Sequence, residues 1–184
     1  MNYETIKIEK VDESCQLCEE YSEKHSTNPP KIAVMACDGA CARGEVARIA
    51  ANLMAHKLAP ENTVRICLGG AFTKDTGQRN LVRRANKTIA IEGCFISCSS
   101  RMMKGVLPGL QPEIVQADTL YESFLPFGVD EVSEEKLREC ANIVAQTVAK
   151  EHIKNSAFAG EKASKKESTC CIPDKQIKPG CCGD

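Results

Sequence analysis

Residues 32–43 read IAVMACDGACAR. The first five, Ile32–Ala36, are a short apolar run of strand type. Gly39 permits a tight turn, and beyond it the spacing changes. Val46, Ile49, Ala50, Leu53 and Lys57 recur at three- and four-residue steps, which predicts a helix over 43–58 with a polar opposite face. A strand that turns into a helix within a few residues is the opening of a βαβ unit, and the rest of the fold is read outward from it.

Two more apolar runs follow, at 63–68 and 88–91, with a weaker fourth at Glu113–Gln116. Shorter helical patterns lie between them. Leu81, Val82 and Ala85 mark a helix over 78–86, and another over 97–107 is stopped by Pro108-Gly109. Ser133 is a good N-cap, with Glu134 and Glu135 behind it at the positive helix start. The helix it opens carries Leu137, Cys140, Val144 and Val148 on one face. Strands separated by helices require crossover connections. The expected fold is therefore α/β: a small open parallel sheet of four strands, order 2-1-3-4, with helices on both faces in a Rossmann-like three-layer arrangement.

The chain of 184 residues is long enough for one domain with a proper core plus extensions. Three segments are expected: a polar extension over 1–30 that ends in Asn28-Pro29-Pro30, an α/β domain over 31–154, and a tail over 155–184 rich in Lys, Ser, Gly and Pro. The formal net charge of −1 gives no global basic field for nucleic acid. No apolar run is long enough to span a bilayer, and the first residues lack the apolar stretch of a secretion signal. A cytoplasmic location is expected. In a reducing compartment, 12 cysteines favour metal or redox chemistry over structural disulfides.

Cys37, Cys67 and Cys94 each sit at or just past the end of an apolar run, and Cys98 follows Cys94 by four positions. In an open parallel sheet the strand ends share one edge, where ligands bind. Thiols far apart in sequence are thus expected in one crevice. Cys41 lies near the start of the first helix, where backbone N–H groups and the helix dipole favour a thiolate, and is an alternative ligand. Four thiolates suit tetrahedral zinc, and an Fe–S cluster would also accept them. Cys140, on a helix stripe, reads as a small buried apolar residue.

The segments Ala36-Cys37-Asp38-Gly39, Cys67-Leu68-Gly69-Gly70 and Glu92-Gly93-Cys94-Phe95-Ile96-Ser97-Cys98 resemble those of the DGC-domain family, small prokaryotic proteins thought to bind zinc. The resemblance covers about residues 31 to 152. It implies a zinc ion held by the four matching positions, Cys37, Cys67, Cys94 and Cys98. The family's Asp-Gly-Cys is Glu92-Gly93-Cys94 here, and Phe95 stands where Pro is usual. Those changes leave the thiols intact. The family implies no reaction.

Cys37 and Arg43 also have the spacing of the phosphate-binding loop in low-molecular-weight phosphatases and thiol-linked arsenate reductases. This makes Cys37 an alternative nucleophile and Arg43 an alternative oxyanion holder. The usual acid loop is missing, and Arg43 reads more simply as a solvated first-turn residue. At the ends, Cys15-x-x-Cys18 offers a separate N-terminal metal site or a redox pair. The tail carries Cys170-Cys171 and Cys181-Cys182, adjacent pairs suited to a second site for thiophilic ions such as Cu(I), Zn or As(III). The expected function is zinc binding at the sheet edge, with a tail that captures or transfers thiophilic metal. The implied partners are the metal ion and a metal- or thiol-exchange protein. A thiol redox protein is a further alternative. His25, His56 and His152 are expected at the surface, the last as a charge partner near a helix end. The apolar loop Phe124-Leu125-Pro126-Phe127 is expected to cap a sheet edge rather than form a dimer contact.

Overall fold

The computed structural model describes residues 4–75 and 77–153. The tail, with both of its cysteine pairs, lies outside the described residues. Four parallel strands form one sheet: β1 (Ile32–Ala36), β2 (Thr63–Arg65), β3 (Thr88–Glu92) and β4 (Glu113–Gln116). Their order is β2-β1-β3-β4, as expected. Val34 sits beside Arg65 on one side and Ile89 on the other, and Ala90 beside Ile114. Among the described residues, six α-helices surround the sheet: α1 (Gln16–His25), α2 (Ala42–Leu53), α3 (Leu68–Thr73), α4 (Gly77–Arg84), α5 (Cys98–Val106) and α6 (Glu134–His152).

Alternate strand residues enter opposite cores, because successive side chains point to opposite faces. Val34, Ala36, Ile89 and Ile91 meet α2 and α6 through Val46, Ala47, Ala50, Val144, Ala145 and Val148. Ala33, Met35, Val64 and Ala90 meet the other layer through Phe72, Leu81, Val82 and Met103. Burial on both faces is why β1 and β3 read as unbroken apolar runs. The alanines of α2 and α6 are fully buried, so the two helices approach closely without large side chains between them. The Ser133 hydroxyl accepts the Lys136 N–H at 3.2 Å and caps α6 as expected. Cys140 is buried in this core. At the far end of α6, His152 pairs with Glu113, which also pairs with Lys87.

The helix expected over 43–58 is α2 plus one wider π-type turn, Met54–Leu58. Strand β2 is shorter than the apolar run. The Ile66 N–H still reaches the Val34 carbonyl at 2.9 Å, but Cys67 then turns to start α3. Helix α1 carries little apolar periodicity and is not legible in the sequence. It is fixed by tertiary contacts: the Ser22 hydroxyl donates to the Gly77 carbonyl at 2.9 Å, and the Arg65 N–H donates to the Tyr21 hydroxyl at 3.2 Å. Of the apolar loop near residue 125, only Leu125 folds into the core; Phe124 and Phe127 are exposed.

Candidate metal centre

Three crossovers deliver thiols to the C-terminal edge of the sheet. Cys37 follows β1 directly, Cys67 follows β2, and Cys94 and Cys98 flank the turn from β3 into α5. Cys37 is buried. Its Sγ accepts the Gly93 N–H at 3.1 Å and approaches the Gly44 carbonyl at 3.9 Å. This ties the first loop to the third. Gly93 is required there, since a Cβ would lie 2.7 Å from the Gly44 nitrogen and 2.8 Å from the Arg43 carbonyl. Gly39, with φ of +91°, makes the turn that swings Cys41 round to the N-cap of α2.

The sulfurs of Cys37 and Cys98 and a carboxylate oxygen of Glu92 all lie within 4.8 Å of one another. Glu92 ends β3 and is fully buried. Its carboxylate accepts the Ser99 hydroxyl and the Ser100 N–H, each at 2.7 Å, and the Ser99 N–H at 3.3 Å. It thereby satisfies the first turn of α5 and holds Cys98 against Cys37. Ser97, which presents Cys98, is left-handed at φ 52°, the sole non-glycine residue at positive φ among the described residues. Such a conformation persists where the surroundings over-determine it. Cys41 and Cys94 line the same cavity of about 190 Å³ as Cys37, Glu92 and Cys98, and Phe127 covers part of it.

Cys67 stands elsewhere on the edge. Its Sγ accepts the Gly70 N–H at 3.4 Å, and its own N–H donates to Gln78 Oε1 at 3.0 Å. It lines a second cavity of about 460 Å³, with Cys18, Arg65 and Asn52, and Cys37 forms part of the wall of both cavities. The fold therefore brings Cys37, Cys94, Cys98 and Cys41 around one cavity and sets Cys67 on the neighbouring one, beside the N-terminal pair. In the sequence Glu92 reads as part of a turn motif and does not stand out as a ligand. Its signal was a lone acidic residue at the end of an apolar strand.

Burial pushes the Cys37 thiol up to about 12, against the Gly93 N–H, and the charges of Cys98, Glu92 and Cys41 push it the same way. Cys98 is also raised, first by burial and then by Glu92, so the start of α5 does not by itself yield a thiolate. Cys15 is lowered, chiefly by hydrogen bonds from the Cys18 backbone and side chain. Cys18 is pushed up to about 11 by burial, then by Cys15 and Cys67. The thiolate is the reactive form. Among the described cysteines of metal-free protein, iodoacetamide should therefore modify exposed Cys15 first and buried Cys37 and Cys140 last. Time-resolved peptide mass spectrometry checks the order. Early labelling of Cys37 would show that the loop after β1 is open in solution.

Arg43, the residue of the oxyanion alternative, pairs with Asp118 at 3.3 Å, and its side chain is 43% exposed. His56 is exposed, and His25 is half-buried against the Tyr21 ring at 4.4 Å between centroids. No helix among the described residues is long and apolar enough to cross a membrane.

The family model of the DGC domain matches residues 33–144, which is more than half of the chain. That span runs from β1 into α6 and includes every thiol of the sheet edge, while Cys15 and Cys18 precede it. No curated protein and no solved structure matches the chain.

Proposed function

Because the chain belongs to the DGC-domain family, we propose that it binds a thiophilic metal, zinc first, through cysteine thiolates at the C-terminal edge of the sheet. The single observation that carries the reading is the approach of Cys37, Glu92 and Cys98 to within 4.8 Å. Zinc–thiolate bonds of about 2.3 Å in a tetrahedron put sulfurs roughly 3.8 Å apart. The three groups need to close by only about one ångström. Cys94 and Cys41 line the same cavity and supply the remaining thiol. Cys67, the second position of the family pattern, completes the set if the wall at Cys37 yields.

The chain's own groups prepare the site. The Ser99 and Ser100 donors orient the Glu92 carboxylate and leave one lone pair free, on Oε2. Bound metal deprotonates a coordinating thiol outright, so the raised Cys37 and Cys98 thiols become ligands by releasing protons. Cu(I), As(III) or an Fe–S cluster would use the same sulfurs. The paired cysteines of the tail, Cys170-Cys171 and Cys181-Cys182, add capture or transfer of such ions and imply an exchange partner. A nucleophilic role for Cys37 has less support. A nucleophile needs a lowered thiol, Cys37 is raised by burial, and Arg43 is engaged with Asp118.

Elemental analysis of anaerobically purified full-length protein tests the reading. Cys94→Ser/Cys98→Ser should lose one equivalent of zinc. It should also lose about 2.7 kcal/mol of stability at free zinc a hundred times the dissociation constant, because metal bound only by the folded state stabilises it. An unchanged zinc content and melting temperature in zinc-replete buffer would remove these cysteines from the ligand set.

A further inference from the structure

Cys18 stands between Cys15, one helical turn before it, and Cys67, which the fold brings to it from far along the sequence. Cys15 is the N-cap of α1, Cys18 lies in its first turn, and Cys67 is the N-cap of α3. Gly70 marks the junction: a Cβ there would lie 3.6 Å from both the Cys18 and the Cys67 sulfur. The Cys18 thiol neighbours those of both Cys15 and Cys67, though the three sulfurs do not all lie within 4.8 Å of one another, so binding would draw Cys15 inward. Docking of α1 through Ser22 and Tyr21 holds the pair in place.

Cys18 and Cys67 line the 460 Å³ cavity, and Arg65 lines it with them. The guanidinium is held by neutral acceptors: Asn52 Oδ1 at 3.0 Å, the Ile66 carbonyl at 2.6 Å and the Val34 carbonyl at 3.4 Å. No ion pair among the described residues includes Arg65. A partly buried cation without a carboxylate is costly unless an anion faces it. Three thiolates around a divalent ion carry one net negative charge, which this guanidinium would offset. Three protein ligands with a fourth position open to a cavity is the arrangement of zinc sites that admit an outside ligand.

We propose that Cys15, Cys18 and Cys67 form a second soft-metal site, separate from the sheet-edge centre, with Arg65 as its counter-charge and its fourth position open to the cavity. This deepens the metal-binding reading and moves Cys67 out of the four-cysteine set. Cys37, on the shared wall, then stands between two metal positions.

The test uses full-length protein with Cys170, Cys171, Cys181 and Cys182 changed to Ser, titrated anaerobically with Co(II) as a coloured stand-in for zinc. Two equivalents with sulfur-to-cobalt charge-transfer bands are expected. Cys15→Ser/Cys18→Ser and Cys67→Ser should each lose the same equivalent and keep the one that Cys94→Ser/Cys98→Ser removes. Loss of a single shared equivalent in Cys67→Ser and Cys94→Ser/Cys98→Ser, with both retained in Cys15→Ser/Cys18→Ser, would overturn the proposal. If Cys94→Ser/Cys98→Ser keeps both equivalents while Cys15→Ser/Cys18→Ser loses one, the sheet-edge reading fails and the second site stands. A readout without further substitution guards against misfolded variants. Zinc should protect Cys15, Cys18 and Cys67 from iodoacetamide together, at one stoichiometric step. Cys15 and Cys18 remaining reactive in zinc-saturated protein would also overturn it.

Discussion

Gly93→Ala is expected to lower the stability of the metal-free protein by about 3 kcal/mol, the upper end for forcing a methyl into a packed site. The melting temperature should fall by roughly 6–12 °C for a domain of this size. The new Cβ would meet backbone, the Gly44 nitrogen at 2.7 Å and the Arg43 carbonyl carbon and oxygen at 2.8 Å, and no flexible side chain stands there to yield. Relief requires the turn after β3 to move away from the start of α2. That movement stretches the 3.1 Å bond from the Gly93 N–H to the Cys37 sulfur, so zinc retention should fall with stability. Urea unfolding and metal analysis on one preparation read both effects. A loss below about 0.5 kcal/mol, the range of ordinary surface changes, would mean that the two loops are not in close contact.

Glu92→Ala is expected to cost a similar amount, about 3 kcal/mol, by a different route. The substitution strips three donors at the start of α5 of their acceptor and leaves a cavity where a fully buried side chain stood. Glu92→Gln keeps the shape and one carbonyl acceptor and should recover more than half of the loss. The pair separates structure from ligation. If Gln restores stability but not zinc affinity, the carboxylate charge belongs to the metal centre. If Gln restores both, Glu92 only positions Cys98. Chevron-free equilibrium unfolding with parallel zinc titration is sufficient. Equal stability of wild type and Glu92→Ala would show that water satisfies the α5 donors.

The two-sided core was legible because β1, β3 and α6 are specified by their own apolar spacing; the strand order rests instead on setting the first three strands side by side, an arrangement that no local pattern encodes. β3 buries all five of its residues, and a strand buried on both faces leaves an unbroken signature. Helices α1 and α3 were not legible. α3 opens on Leu68-Gly69-Gly70, whose two glycines are poor helix residues and are helical because Cys67 and Gln78 hold the turn. α1 has few apolar residues and depends on bonds to Gly77 and Arg65, which no local pattern encodes. Cys37, Cys67, Cys94 and Cys98 all follow strand ends, as their spacing in the sequence suggests. Their division between two cavities was not visible, because it follows from where each turn leads after its strand. Glu92 was hidden for the same reason: its partners, Ser99 and Ser100, become neighbours only when α5 folds back.

The docking of α1 sets an order in time. Its two anchoring bonds close loops of 55 and 44 residues, from Ser22 to Gly77 and from Tyr21 to Arg65. Neither can form on the ribosome until β2, and then α4, have emerged behind it. Cys15 and Cys18 are made well before their neighbour, Cys67. Through that interval they are a bare Cys-x-x-Cys on a nascent chain, open to whatever soft ion or oxidant the compartment holds. If the proposed second site binds metal, an ion seized then would ride on the chain into the fold.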